Sequence, residues 1–270
     1  MSDVLDIEDA NGVRRLTLNR PERKNSISPD LREALLAALD EARIDDGIRC
    51  VVITGAGDAF CAGVDLSRSG ATKDAAAGEQ RSPDMRAVRE AMKRGVQRVI
   101  TAIWELDKPV IAAVNGVAAG GGAQLALVCD LVIAAGSARF IEIFVKRGLA
   151  LDSGGGWLLP RLVGMAKAKE LVFFGESLSA PDALSIGLIN KVVPDDELPE
   201  AARAWAEQLA AGATRAIGMS KQLLNSAHTT DLKQFFDAEA SAQALVSQTD
   251  DFKEGVRAFM EKRAPDFKGR

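Results

Sequence analysis

The segment Lys108 to Asp130, KPVIAAVNGVAAGGGAQLALVCD, limits what this chain can fold into more than any other. Pro109 to Val114 is a short apolar run held between Pro and the Asn115-Gly116 pair, the pattern of a buried strand. Gly120, Gly121 and Gly122 follow and open a helix that continues through Gln124 to Val128. Glycines at a helix entrance let backbone N–H groups approach a ligand with no side chain in the way. No Lys or Arg lies among them, which favours a small oxyanion over a polyphosphate.

The chain has 270 residues, enough to bury a full core as one large domain or as a domain with an appendage. Its net charge of −4 argues against nucleic acid as a main partner. Cys50, Cys61 and Cys129 all sit in apolar surroundings. An odd count without framework spacing reads as reduced, buried thiols in a cytoplasmic protein. The acidic start, MSDVLDIEDANG, lacks the apolar centre of a signal peptide, and no apolar run reaches the roughly 18 residues of a membrane span. The single histidine, His228, lies in the polar stretch SAHTT and reads as a surface residue, which sets aside triad chemistry. Without further His or a CxxC pair, no protein-bound transition metal is expected.

Val4 to Ile7 and Val13 to Asn19 read as strands paired around Asn11-Gly12. Ser28-Pro29-Asp30 is a cap followed by Pro in the first helical turn, and Leu31, Leu35, Ala38, Leu39 and Ala42 then share one helix face. Cys50 to Thr54 is the next strand. The polar, small-residue stretch Ser67 to Arg81 reads as a loop. A second helix starts at Ser82-Pro83-Asp84, with Met85, Val88, Met92, Val96 and Ile103 as its apolar stripe and Arg86, Arg89 and Lys93 on a solvated face. Leu131 to Ala134, Arg139 to Ile141 and Leu188 to Val193 read as further strands. After Pro194 only helices are expected, marked by Leu198, Ala202, Trp205 and Leu209, by Leu232, Phe235 and Phe236, and by Phe252, Val256, Phe259 and Met260. A run of helices after a β-containing core suggests an appendage for packing or assembly.

Gly55-Ala56-Gly57 lacks the third glycine and the acidic residue of a dinucleotide fingerprint, and no P-loop is present. The neighbouring Ala62-Gly63-Val64 reads by itself as a tight turn. It is also a second neutral, small-residue loop that can face the glycine run. Backbone N–H groups from two such loops make an oxyanion hole, in which one donor is worth roughly 3 kcal/mol on a developing carbonyl charge.

Several stretches resemble the crotonase (enoyl-CoA hydratase/isomerase) superfamily: LNRPERKNSIS from Leu18, ITGAGDAFCAGVDL from Ile53, and NGVAAGGGAQLALVCD from Asn115. FIEIFVKRGLALDSGGGWLLPRLVG from Phe140 and the carboxy-terminal DFKEGVRAFMEKR complete the likeness, which runs in order over nearly the whole chain. The resemblance implies an α/β fold, a spiral of ββα units over residues 1–194, with helices over 195–270 that pack trimers or dimers of trimers. It implies an acyl-CoA thioester as substrate, with coenzyme A as part of that substrate and no separate cofactor. The family's two carbonyl donors fall on Val64 and Gly121, with Ala62, Asp65 and Leu66 lining the first loop. Lys24 and Lys268 are candidate contacts for the CoA phosphates.

The glutamates that family hydratases use to hold water fall on Gln124 and Phe144, and neither side chain exchanges a proton at neutral pH. Glu142, two residues before Phe144, would point elsewhere if this segment were helical and is expected to serve a surface or structural role. Asp152 reads on its own as a helix cap. The resemblance places there the active-site Asp of family isomerases. Asp65 and Asp130 suit structural roles, the latter at the start of a strand, and Cys61 reads as a small core residue. Double-bond isomerisation through Asp152 needs one proton carrier and no held water, and is the leading expectation. Hydration of a 2-enoyl-CoA is the first alternative, with thioester hydrolysis, dehalogenation and non-catalytic acyl-CoA binding behind it.

Overall fold

The computed structural model of the chain describes residues 4–65 and 84–270. Leu66, the Ser67 to Arg81 loop and the Ser82-Pro83 cap lie outside these residues. The chain begins as a hairpin, β1 (Leu5–Ala10) and β2 (Val13–Leu18), paired antiparallel across Asn11 and Gly12. Both turn residues have positive φ, 52° and 78°, which this tight connection requires and which Asn and Gly tolerate. Helix α1 (Pro29–Ile44) follows, and the Ser28 hydroxyl accepts the Leu31 N–H as its cap. Leu31, Leu35, Ala38, Leu39 and Ala42 are all buried by it, as their spacing predicts.

From there the chain advances in turns that give one strand to each of two sheets. Strands β3 (Cys50–Gly55), β5 (Val110–Val114) and β7 (Leu131–Ala135) extend the first sheet. Its order is β1-β2-β3-β5-β7-β10, with β10 at Lys191–Val193, and every pairing after the hairpin is parallel. The second halves of the turns, β4 (Ala59–Cys61), β6 (Val117–Ala119) and β8 (Arg139–Ile141), form a smaller parallel sheet closed by antiparallel β9 (Ser177–Ser179). The side-chain amides of Asn25 and Asn115 both donate to the Ala59 carbonyl and so hold the corner between β3 and β4.

The helix expected from Ser82 is two helices, α2 (Met85–Lys93) and α3 (Val96–Trp104), broken at Arg94-Gly95. Val96, Val99 and Ile103 pack into the core, whereas Met85 and Val88 stay exposed. Gly95 costs helix stability and lets the chain change direction there, so one apolar stripe does not run through both helices. The strand expected over Leu188 to Val193 is only Lys191–Val193. Leu188 and Ile189 are buried in the turn before it, where apolar content reports burial and not extension.

Helix α4 (Gly121–Leu127) follows β6, and α5 (Gly155–Phe174) and α6 (Ala180–Ser185) come after the β8 corner. The carboxy-terminal part is helical: α7 (Leu198–Ala210), α8 (Thr214–Ser226), α9 (Leu232–Val246) and α10 (Asp250–Glu261). Helix α8 is tied to the core by a buried charge. Lys221 Nζ donates to Asp130 Oδ2 at 2.8 Å and to the Ile103 carbonyl at 3.0 Å, while Asp130 Oδ2 also accepts the Val110 N–H at 2.7 Å. Burial raises the Asp130 carboxyl above its ordinary range, and the Lys221 charge opposes that rise. Lys221→Met leaves Asp130, whose side chain is 24% exposed, without its cation and is expected to cost about 1.5–3 kcal/mol in chemical denaturation, the range for a hydrogen bond to a charged group. A loss under about 1 kcal/mol would assign this pair no more weight than a surface ion pair. Among the described residues, no helix is long and apolar enough to cross a membrane.

Candidate active site

Two backbone corners meet between the sheets. Gly121 is the first residue of α4, so its N–H has no acceptor in the helix ladder. Gly122, next to it, lies so close to β4 that a Cβ there would overlap the Cys61 carbonyl oxygen, and glycine is what lets this helix end reach the strand. The opposing corner is Ala62-Gly63-Val64, directly after β4. Val64 bridges Ile27 in parallel, but the bonds run from Ile27 N–H to Gly63 O at 2.8 Å and from Asp65 N–H to Ile27 O at 3.1 Å. The Val64 N–H is not spent in that bridge. A Cβ built on Gly121 would lie 3.8 Å from the Val64 nitrogen, and one built on Gly63 would lie 3.3 Å from the Gly121 nitrogen. Cys61 pairs with Ala118, so each nitrogen belongs to the third residue beyond a paired strand position.

The Val64 corner is braced from below. Arg20 Nη2 donates to Asp65 Oδ2 at 2.9 Å while Arg20 Nη1 donates to the Ser26 carbonyl at 2.6 Å. The Ala62 N–H donates to the Lys24 carbonyl at 2.9 Å, which leaves the exposed Lys24 side chain at the edge of this corner. Lys268 is elsewhere. Its ammonium pairs with Asp266, and it lines a cleft with Gly12 and Arg49 at the hairpin-turn end of β2, whereas Lys24 follows the other end. Within this chain the tail therefore does not bring Lys268 to the Val64–Gly121 corner. Cys61 is fully buried, and burial pushes its thiol up to about 12, so it is a core residue.

Asp152 stands at the loop before α5. Its Oδ1 accepts the Ser153 hydroxyl at 2.7 Å, and the same Ser153 Oγ lies 3.4 Å from the Cβ position of Gly121. A short path thus links the carboxylate to the two nitrogens. Ser153 is buried and has φ of 50°, a left-handed conformation that turns the chain sharply so that Asp152 and Ser153 face the same corner. Partial burial raises the Asp152 carboxyl, and the Ser153 hydroxyl opposes the rise. Phe144 is buried, and its ring edge lies 3.7 Å from the Cβ position of Gly120, so it walls the glycine side with apolar surface.

Of the surface or structural role expected for Glu142, the surface half is overturned. Its carboxylate is 5% exposed and accepts the Gln124 Nε2 amide at 2.9 and 2.8 Å, one bond to each oxygen. Burial raises this carboxyl to about 7; the Gln124 donor opposes the rise and the charge of Asp152 adds to it. The angular argument from Phe144 fails because β8 ends at Ile141 and the chain stays non-helical through Glu142 before the short turn of 3-10 helix at Val145–Arg147. The signal that finds Glu142 is strand alternation. Phe140, Glu142 and Phe144 are all buried, with the less buried Ile141 and Ile143 between them.

These features define an α/β protein with a neutral backbone-donor corner flanked by two buried or half-buried carboxyls. Residues 8–270 match the sequence model of the family described as Enoyl-CoA hydratase/isomerase, and the chain belongs to that family, in the crotonase superfamily. Among curated relatives, it is 44% identical over 259 residues to the 1,2-epoxyphenylacetyl-CoA isomerase of Escherichia coli, covering 96% of each chain. It is 35% identical over 260 residues to the short-chain-enoyl-CoA hydratase of Clostridium acetobutylicum, covering 95% of this chain and 94% of the relative. The crystal structure of enoyl-CoA hydratase from Bacillus anthracis superposes with a TM-score of 0.89 at 35% identity, covering 99% of this chain and all of that one.

Proposed function

We propose that this enzyme isomerises an enoyl-CoA thioester by proton transfer through Asp152, with the Val64 and Gly121 N–H groups holding the thioester oxygen. The observation that carries the reading is the position of Asp152, joined through Ser153 to the corner where the two backbone nitrogens converge. A carbonyl oxygen placed between those nitrogens gains about 3 kcal/mol from each donor as it becomes an enolate. The Asp152 carboxylate takes a proton from the carbon next to the thioester. The C–H electron pair enters the carbon framework, and charge accumulates on the held oxygen. Return of a proton from the Asp152 carboxyl, which exchanges with solvent, to the far end of the conjugated system shifts the double bond and restores the carboxylate. No water is consumed and no redox partner or bound cofactor is needed. Gln124 and Phe144 suit this chemistry because neither competes for the proton. The Escherichia coli relative is named an isomerase of 1,2-epoxyphenylacetyl-CoA, which supports isomerisation of a CoA thioester and not the enoyl double-bond shift itself.

Hydration is the second reading. A second carboxyl, Glu142, lies beside Gln124 and senses the charge of Asp152, and a relative at 35% identity is named a hydratase. Incubation with crotonyl-CoA separates the two. We expect exchange of substrate carbon-bound hydrogen with D2O and little loss of the conjugated absorbance. Rapid disappearance of that absorbance through water addition would sink the isomerase assignment and leave the fold assignment intact. Lys24 at the corner's edge is read as a contact for the CoA phosphates. Exposed Leu232, Phe236, Phe252 and Phe259 on α9 and α10 support assembly into trimers or dimers of trimers.

A further inference from the structure

The buried pair Gln124–Glu142 is one proton short. Gln124 is fully buried, its Nε2 serves both oxygens of Glu142, and its Oε1 has no hydrogen-bond partner among the described residues. An orphan amide oxygen inside a protein costs about 1–3 kcal/mol. A carboxylate beside it repeats the fault, because it too can only accept. A carboxylic acid removes both faults: its carbonyl oxygen accepts Nε2–H, and its O–H donates to Oε1 after a rotation about the Gln124 Cγ–Cδ bond. Beyond the Gln124 Nε2–H, no cation among the described residues compensates the anion. Helix α4 carries no charged residue. Lys146, beyond Glu142 in the chain, is engaged with Glu176 at 2.7 Å, Arg147 is exposed, and the charge that acts on Glu142 is the like charge of Asp152.

We propose that Glu142 is held as the neutral acid against the Gln124 amide, and that this acid–amide pair is a positioning device that leaves Asp152 as the single anion of the site. The proposal rests on the reading of Asp152 as the base. Two carboxylates in one low-dielectric corner resist joint ionisation, so one proton stays with the pair. The deeper group, locked by the amide, keeps it, and the half-exposed Asp152 is left free to accept one from substrate. A second negative charge would also oppose the enolate forming between the backbone donors. Glu142 thus sets the charge of the pocket without touching the substrate.

The test is a carbon NMR titration of the full-length enzyme labelled at glutamate side-chain carboxyls, with Glu142→Gln used to assign the resonance. The Glu142 signal is expected to titrate near pH 7. Asp152→Asn removes the like charge and is expected to move the midpoint down. In parallel, kcat/KM of the wild-type enzyme is expected to fall about tenfold per pH unit above that midpoint. Glu142→Gln, neutral at every pH, is expected to lack this alkaline limb. A Glu142 already ionised at about pH 5, near the ordinary glutamate range, overturns the inference. So does a midpoint unmoved by Asp152→Asn, or an alkaline limb that persists in Glu142→Gln. Turnover that survives Asp152→Asn while the titration behaves as described would instead overturn the role of Asp152 and leave the acid–amide pair standing.

Discussion

Replacing Asp152 by Asn is expected to lower kcat for enoyl-CoA isomerisation by about 10²–10⁴-fold, the usual contribution of a positioned general base. The substitution keeps the shape of the side chain and an oxygen for the Ser153 hydroxyl, whose 2.7 Å bond fixes the loop. It removes the capacity to take a proton. Binding should survive within a few-fold, because the CoA moiety and the thioester oxygen are held by other groups. The loss should therefore appear in kcat and in exchange of substrate hydrogen with D2O, and not in the dissociation constant read by calorimetry. Full turnover in this variant would show that the proton travels by another route.

The second large effect is expected from a residue with no side chain. Gly63 has φ of 91°, and a Cβ there would lie 2.8 Å from the Ala119 carbonyl oxygen and 3.3 Å from the Gly121 nitrogen. Both obstacles are backbone of the opposing corner, so Gly63→Ala must push the corners apart or rotate the peptide that carries the Val64 N–H. Losing one donor costs about 10²–10³ in kcat. A methyl group in this left-handed conformation adds about 1–2 kcal/mol of strain to the folded state. Circular dichroism melts separate the two effects, since the kinetic loss should be present at temperatures where the variant is fully folded. A variant with unchanged kcat and an unchanged melting temperature would remove the Val64 corner from the reaction.

Local chemistry made part of this molecule legible in advance. Asn11-Gly12 has the backbone freedom of its turn, Ser28-Pro29 caps α1, and the glycine run marks the start of α4, because each signal acts over a few neighbouring residues. The three-residue strands β4 and β9 are too short to display a period, and they form because neighbouring turns of the chain supply their partners. The break at Gly95 was hidden by an apolar stripe that continues in sequence across it. Within the site, the positions of Gly121, Val64 and Asp152 followed from family resemblance and not from spacing. Glu142 was misplaced because its partner lies 18 residues away and its surroundings are set by tertiary packing. A polar residue in an alternating apolar stretch carries two opposite meanings, solvent or a buried partner, and the sequence contains both Gln124 and Glu142 without saying that they meet.

Past a register shift between Ala59 and Cys61, the pairing of Cys61 with Ala118 makes the sheet a ruler. Neighbouring strands stand about 4.8 Å apart, and two N–H groups launched from equivalent points of neighbouring strands inherit roughly that separation. One oxygen about 2.9 Å from each nitrogen fits such a gap with the donors splayed well apart, as two bonds to a single acceptor require. The width of the anchor is then a property of backbone hydrogen bonding and owes nothing to the side chains at 124, 142, 144 and 152. Those four positions can be exchanged, and the reaction with them, while the grip on a thioester keeps its calibration. Conversely, inserting one residue between Cys61 and Val64 would misalign the grip for every substrate at once, whatever proton carriers the pocket held.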